Sequence, residues 1–202
     1  MKILLYYFLI CEFSLIKQRM ESNLPCKINI NKLRGEIMLK ETIQKMLNQQ
    51  LNAELYSSYE YLAMSAYFES ENLSGFSNWM GIQSREEYGH AMKFYNYLLE
   101  ARGTINFSQI DAPKVGWKSV EGVFQDTFKH EQKVTESIYK LVDQAITEKD
   151  HATNIFLQWF VTEQVEEESN AMKILDRIKL IGDNKSGLLL LDHELGRRAA
   201  AK

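Results

Sequence analysis

The chain is poor in residues that interrupt helices or cross-link a fold. Among its 202 residues there are only two cysteines and two prolines. Both cysteines, Cys11 and Cys26, precede residue 38, so no disulfide framework is predicted for the rest of the chain. Because nothing demands an oxidising compartment, we expect a cytoplasmic protein. With so few helix breakers, the long patterns of helical period favour an all-α fold.

Long runs of one charge sign and long apolar runs are missing as well. The net charge is −3 and no basic run occurs after residue 37, so nucleic acid is not a predicted partner. The apolar run at residues 3–11 is too short to span a bilayer as a helix, and no membrane partner is predicted. A length of 202 residues with 45% hydrophobic and 25% charged side chains is typical of one globular domain with a sizeable core.

Residues 1–37 differ in character from residues 38–202. They carry six Lys or Arg and three Asp or Glu, a charge of +3, whereas the remainder carries 18 and 24, a charge of −6. One interpretation is a signal-peptide core behind Lys2, although Glu12 follows it and no small-residue cleavage site is present. The other is a translated leader, because RGEIM at 34–38 back-translates to a purine-rich ribosome-binding site and a start codon. We predict an N-terminal extension at 1–37, translated leader or disordered, and one domain at 38–202.

The second part contains four long amphipathic segments and a shorter one. We predict helices at 39–69, 74–102, 120–148, 151–181 and 188–198, with Ser74 as an N-cap and Gly103 as a stop. A helix of this size is ~43 Å long, and the link at 104–119 reaches roughly 50 Å when extended. The pattern predicts a four-helix bundle with one long crossover and a short fifth C-terminal helix. The inward stripe of the first helix is assigned to Ile43, Leu47, Leu51, Ser58, Leu62 and Ser65.

Glu87 and His90 lie three residues apart on the apolar side of the second helix, so they point the same way and can bind one metal ion. Since antiparallel helices of equal length align their midpoints, other helices add polar side chains at that level. No Lys or Arg lies on these stripes near the midpoints, and unpaired buried carboxylates are unfavourable. Oxygen ligands with one nitrogen and no sulfur favour iron or manganese. We predict a centre for two metal ions among Glu54, Glu87, His90, Glu131, Gln164 and Glu167.

Other polar residues have two possible interpretations. Tyr61 follows Glu54 by seven residues, and it either supplies a hydrogen bond or an electron to the site or packs as a core tyrosine. Three further acids either form an outer third iron site or a solvated acidic face: Glu86, Glu163 and Glu166. The remaining histidines are interpreted as surface or capping residues: His130, His151 and His193.

Four motifs in order resemble bacterial non-haem ferritin, a family of the ferritin-like di-iron proteins. They are LNAELYSS at 51–58, REEYGH at 85–90, KHEQ at 129–132 and FLQWFVTEQVEEE at 156–168. The resemblance covers the chain from Met38 to about residue 198. It implies a ferroxidase that oxidises Fe(II) with dioxygen or hydrogen peroxide. It also implies that the ferric oxide is stored inside a homo-oligomeric shell of 24 subunits.

The resemblance also implies roles for single residues. Glu54, Glu87 and His90 match the ligands of the first iron, and Tyr61 matches a tyrosine beside the centre. The matches for the second iron are Glu87, Glu131 and Glu167, with Gln164 nearby. The matches for a third iron are Glu86, Glu163, Glu166 and Glu167. Haem binding is not implied, because QVEE at 164–167 replaces the second Glu-x-x-His motif of haem-containing bacterioferritin.

Two other classes of protein stay open on the sequence alone. A peroxide scavenger of the rubrerythrin type would also use a di-metal centre, but that family usually adds a cysteine-rich iron site, and residues 38–202 contain no cysteine. A helical interaction protein without metal is disfavoured by the unpaired acids of the core.

Overall fold

A computed structural model describes residues 39–199, and within this range the chain forms five α-helices and no strand. The predicted all-α class is therefore confirmed. The prediction of an N-terminal extension at 1–37 lies outside the described residues. The helices are α1 (Glu41–Ser70), α2 (Ser74–Glu100), α3 (Val120–Thr147), α4 (His151–Ile181) and α5 (Lys185–Leu195). Helix α4 has the predicted bounds, and α1 and α3 differ from theirs by one or two residues.

The start of α2 differs from the prediction. Ser74 is its first helical residue rather than its N-cap, and the capping position falls on Leu73, which offers no side-chain acceptor. The acceptor comes instead from α5, where Asp192 Oδ1 accepts a hydrogen bond from the Phe76 backbone N–H at 2.9 Å. Gly75 permits this approach, because a Cβ there would lie 1.7 Å from the Asp192 carbonyl oxygen. The cap of α2 thus depends on the docking of α5.

Three other helix ends are shifted from their predicted positions. α2 ends at Glu100, and Arg102, not Gly103, adopts the left-handed backbone conformation, with φ of 58°. α5 begins at Lys185, three residues before the predicted start, because the Asn184 side chain accepts from the Gly187 N–H at 3.1 Å. The same helix ends at Leu195 instead of residue 198, and Gly196 is its C-cap.

The link between α2 and α3 runs along the whole of α1. Near the start of α1, Asn48 donates to the Thr104 carbonyl at 2.9 Å and accepts from the Asn106 N–H at 2.6 Å. Near the end of α1, the Trp117 ring packs on Tyr67, with ring centroids 5.3 Å apart. Helix α3 consequently starts at the end of the bundle where α2 starts. The predicted long crossover is confirmed.

Two apolar clusters fill the ends of the bundle and leave its middle to polar residues. The first includes Phe68, Phe76 and Phe124, and the second includes Leu47, Phe94 and Ile138. The fifth helix contributes to the first cluster through two buried leucines, Leu191 and Leu195. The fold thus places a polar layer between two hydrophobic cores.

The inward face of α1 differs from the predicted stripe at Leu62. Leu47, Glu54 and Tyr61, each seven residues after the last, are almost fully buried. Leu62 was predicted to face inward, but its side chain is 54% exposed. The reason is geometric, since one residue turns the side chain by 100° around a helix, away from the line that continues through Tyr61.

Within residues 39–199, no helix combines the length and the apolar character needed to cross a membrane.

Candidate metal centre

The polar layer contains acidic side chains from all four long helices. All six residues predicted from the helix midpoints are at most 5% exposed: Glu54, Glu87, His90, Glu131, Gln164 and Glu167. Within the described part of the chain, no Lys or Arg forms an ion pair with any of these four carboxylates. Buried carboxylates without a cationic partner are the situation that a bound metal ion relieves.

Glu54, Glu87 and His90 form the first ligand group. Each offers an atom within 4.8 Å of the others, and His90 Nδ1 lies 3.6 Å from Glu87 Oε2. Gln50 donates to Glu54 Oε1 at 2.8 Å, one helical turn before it on α1. The other oxygen, Glu54 Oε2, is buried without any hydrogen-bond partner. A carboxylate with an orphaned oxygen, grouped with a second carboxylate and an imidazole, suits a divalent cation.

A second group joins α2 to α4 through His90, Glu163 and Glu167. His90 Nε2 lies 4.0 Å from Glu163 Oε1, on the opposite side of the ring from Glu87. Gln83 donates to Glu167 Oε2 at 2.7 Å and holds that carboxylate in place. The imidazole of His90 therefore lies between two acidic groups. The prediction had assigned His90 to the first ion alone.

Glu131 on α3 belongs to neither of these two groups. Its carboxylate accepts a hydrogen bond from the Tyr61 hydroxyl and another from Gln164 Nε2, the latter at 3.2 Å. Burial, followed by the charge of Glu131, raises the pKa of Tyr61 well above its usual value. The phenol thus stays protonated at neutral pH and acts as a donor to Glu131.

The acids also affect one another across the layer. Burial, and next the charge of Glu87, raises the pKa of Glu54 well above its ordinary value. Burial and the charges of Glu131 and Glu167 raise the pKa of Glu87 in the same direction. Burial and the charge of Glu131 raise the pKa of Glu167 to about 7. Along with burial, the charge of Glu131 thus raises the pKa of a carboxylate in each of the two groups. In the metal-free protein these carboxylates retain protons that a bound cation would displace.

The residues predicted for a third, outer site are only partly brought together. Glu163 lies next to His90, as described above. Glu86 is instead paired with Arg198, at 2.6 Å between Oε2 and Nη2. Glu166 is exposed on α4. No other acid or histidine of the described residues joins either ligand group.

Two amides that orient candidate ligands were not predicted from the sequence. Gln50 and Gln83 each precede a predicted ligand by four residues, at Glu54 and Glu87, so they lie on the same helical face. That spacing was the available signal. Gln83 uses its position to reach Glu167 on another helix rather than Glu87 on its own.

His130 was interpreted as a surface or capping residue, and the structure contradicts this. Its Nδ1 lies 3.0 Å from Glu60 Oε2, and its Nε2 lies 2.7 Å from Ser57 Oγ. Burial alone would lower the pKa of His130, but the hydrogen bond to Glu60 and the charge of Glu131 outweigh it, and the pKa is raised. The ring also meets the ring of Tyr61 edge-on, with centroids 6.0 Å apart. His130 therefore supports the wall of the metal centre from α3.

The arrangement of helices and candidate ligands is that of a known protein family. A family model described as the ferritin-like domain matches residues 44–181, which include every side chain of both ligand groups. The chain belongs to the ferritin family. The resemblance drawn from the four motifs is thereby confirmed.

Curated relatives within the ferritin family cover the same part of the chain. A bacterial non-heme ferritin of Bacteroides fragilis is 45% identical over 161 residues, which are 80% of this chain and 100% of the relative. A bacterial non-heme ferritin of Staphylococcus aureus is 38% identical over 161 residues, covering 80% of this chain and 97% of the relative.

Solved ferritin structures agree with the fold. The open-pore ferritin of the archaeon Archaeoglobus fulgidus matches with a TM-score of 0.79 and 45% identity, over 80% of this chain and 99% of that one. An engineered closed form of the same ferritin matches with a TM-score of 0.80 and 44% identity, over 81% and 99%. The chain therefore resembles these ferritins both in its fold and in the amino-acid sequence of its helical bundle.

Proposed function

We propose that this protein is an iron-storage ferroxidase. It oxidises Fe(II) with dioxygen or hydrogen peroxide at a centre for two ions. The ferric product is deposited as an oxide mineral inside a shell of 24 subunits. The observation that carries the proposal is the convergence of Glu54, Glu87 and His90 in a buried, strongly acidic layer, where Glu54 Oε2 has no hydrogen-bond partner. Membership of the ferritin family supports the same reading.

The residues divide between two ion positions. Glu54, Glu87 and His90 hold the first Fe(II), and Glu87, Glu131 and Glu167 hold the second, with Glu87 shared between them. Along with burial, the charge of Glu131 raises the pKa of both Glu87 and Glu167, which supports the second position because the three carboxylates interact with one another. In this proposal a third ion binds more loosely at the outer acids Glu86, Glu163, Glu166 and Glu167.

The chemistry follows from two adjacent one-electron donors. Each Fe(II) gives up one electron, and dioxygen takes both together with two protons to leave as hydrogen peroxide. With hydrogen peroxide as the oxidant, the same two electrons and two protons yield two molecules of water. The protein supplies oxygen-rich ligands that favour the higher charge of Fe(III), and a buried layer that limits access of bulk reductants.

Gln164 and Tyr61 act on Glu131 rather than on iron. Both donate hydrogen bonds to this carboxylate, which fixes its orientation towards the second ion. In the metal-free protein the pKa of Tyr61 is raised well above its usual value, so its phenol is a hydrogen-bond donor to Glu131.

Large apolar side chains on the outer faces support assembly into a shell. Leu180 at the end of α4 is 88% exposed, and Leu189 and Leu190 on α5 are 59% and 70% exposed. Isolated subunits would leave these groups in water, whereas neighbouring subunits of an assembly would cover them. Light scattering after size-exclusion chromatography measures the mass of the assembly and so tests whether a shell forms. A mass near 24 subunits is expected, and a monomer or dimer would contradict storage.

Fe(II) oxidation by the double variant Glu87→Ala/His90→Ala tests the ferroxidase. Without the shared carboxylate and the imidazole, oxidation followed by ferric absorbance and oxygen uptake should proceed no faster than in buffer. Glu136→Ala is the matched control, because Glu136 is an exposed acid on α3 that pairs with Lys140 outside the layer, and its loss should leave the rate unchanged. Normal oxidation in the double variant would reject the proposal.

A further inference from the structure

The segment after α5 places a cation against the acids of α2. Arg198 Nη2 lies 2.6 Å from Glu86 Oε2, and Nη1 donates to Gln83 Oε1. The guanidinium carbon is 4.9 Å from the centre of the Trp79 ring. The Arg198 and Glu86 side chains are 25% and 24% exposed, so water screens the pair only partly.

The position of Arg198 does not depend on this ion pair alone. The Asn78 side chain donates to the Arg198 carbonyl at 3.1 Å and to the Leu195 carbonyl at 3.4 Å. One turn earlier, Asp192 accepts from the Phe76 N–H of α2. The backbone is therefore docked on α2 by contacts that survive replacement of the Arg198 side chain.

Gln83 connects Arg198 to the metal centre. Its carbonyl oxygen accepts from Arg198, and its amide nitrogen donates to Glu167 Oε2 at 2.7 Å. An amide has its acceptor on one side and its donors on the other, so engagement of Gln83 Oε1 by a guanidinium directs Nε2 towards Glu167. Arg198 thereby fixes the orientation of a group that holds a predicted ligand.

We propose that Arg198 is a positioning residue that acts as an internal counter-cation at the outer acids. It neutralises Glu86 and competes with a third metal ion for that carboxylate, while it orients Gln83 towards Glu167. This inference rests on the proposed function, because it concerns the ion held outside the two-ion centre. A third ion must displace the guanidinium from Glu86, so its binding is weaker than the acid count alone suggests.

Zn(II) titration by calorimetry tests the competition without redox chemistry. The unaltered protein should bind two ions tightly and a third weakly. Arg198→Ala should leave the first ion unchanged and loosen the second slightly, because Gln83 then holds Glu167 less firmly. It should bind the third roughly fivefold more tightly, as expected for loss of a partly screened ion pair. Arg198→Lys keeps a cation near Glu86 and should restore weak binding.

Arg197→Ala is the matched control, because it removes the same charge from the adjacent, exposed residue. It should leave the third ion unaffected, which separates direct competition from the general field of the protein. Glu86→Gln should abolish the gain in the double variant with Arg198→Ala, since the carboxylate in competition is then missing. Thermal unfolding of each variant checks that the tail still docks.

The outcomes separate this inference from the proposed function. A third-ion affinity that is the same in Arg198→Ala and in the unaltered protein would overturn the role of Arg198, even if two ions bind tightly. An equal gain in Arg197→Ala would overturn direct competition. Absence of the two tight ions from the unaltered protein would instead overturn the proposed function itself.

Discussion

The hydroxyl of Tyr61 on α1 donates a hydrogen bond to the carboxylate of Glu131 on α3, across the polar layer of the bundle. Tyr61→Phe removes this donor and leaves Gln164 as the side chain that holds Glu131 within the described residues. We expect Fe(II) oxidation to slow by several-fold, because Glu131 is less well oriented. The free energy of unfolding should fall by about 1 kcal/mol, because a buried hydrogen bond is lost. Stopped-flow absorbance of the ferric product measures the rate.

Tyr139→Phe on α3 is the control for this prediction, because it removes a phenol oxygen from a tyrosine that is half exposed. It should leave both the rate and the stability unchanged. If Tyr61→Phe oxidised Fe(II) at the unaltered rate, the orientation of Glu131 by Tyr61 would have no part in the reaction.

The metal-free protein should become less stable as the pH rises. The pKa of Glu167 is about 7, and those of Glu54 and Glu87 are raised well above the ordinary value of 4.5, so the folded state binds protons that the unfolded chain releases. Their contribution to stability is therefore fully present below about pH 4.5 and is lost as pH rises through the folded pKa values. Chelated protein should melt at a lower temperature near pH 8 than near pH 5.

Saturating Zn(II) should reduce this pH dependence, because the cation neutralises the ionised carboxylates. Glu167→Gln in the chelated protein should also reduce it, since the amide keeps the shape of the side chain but does not ionise. Calorimetric melts at both pH values measure each case. A chelated protein that is more stable near pH 8 would contradict the assignment of raised pKa values.

The positions of the proposed ligands were predictable because their helices are long and of nearly equal length. In such a bundle, midpoints align, and this placed Glu54, Glu87 and Glu167 at one level without knowledge of their contacts. The pairing of Glu86 with Arg198 was not predictable, because helical period does not say where the segment after α5 turns. His130 was misread because its partner Glu60 comes from a different helix, which no local pattern of α3 reveals.

The pair of Glu60 and His130 should stabilise the fold in a pH-dependent way. Their side chains are only 16% and 14% exposed, so Glu60→Gln should lower the free energy of unfolding by about 1–2 kcal/mol near pH 6. The pKa of His130 is raised, so its contribution is fully present below the unfolded value of 6.5 and is lost as pH rises through the folded value. The effect of the substitution should therefore shrink near pH 9.

Urea denaturation at the two pH values measures this difference. Glu136→Gln is the control, because Glu136 and Lys140 form an exposed pair with 3.8 Å between charged atoms. Its removal should have no measurable effect at either pH. An effect of Glu60→Gln that grows from pH 6 to pH 9 would contradict the stated direction.

The outer face of α5 should matter for assembly and little for the folded subunit. Leu189 and Leu190 are exposed, whereas Leu191 on the same helix is buried against the bundle. Leu189→Lys/Leu190→Lys should shift the population from the shell to smaller species, because charge on an interface opposes its burial. Light scattering measures the mass, and Ser186→Lys, a charge added at an exposed position of α5, is the control. Intact shells in the double variant would exclude this face as an interface.

Gly75 and Gly89 on α2 should respond to alanine in opposite ways. A Cβ at Gly75 would lie 1.7 Å from the Asp192 backbone carbonyl, so Gly75→Ala must push α5 away from α2. That movement opens the contact of Leu191 with the core and should lower stability by about 2–3 kcal/mol. At Gly89 nothing lies within 4 Å, and alanine in a helix interior should raise stability by roughly 0.5–1 kcal/mol. Denaturant unfolding of metal-free protein compares the two, and a stable Gly75→Ala variant would mean that α5 docks without the close approach at Gly75.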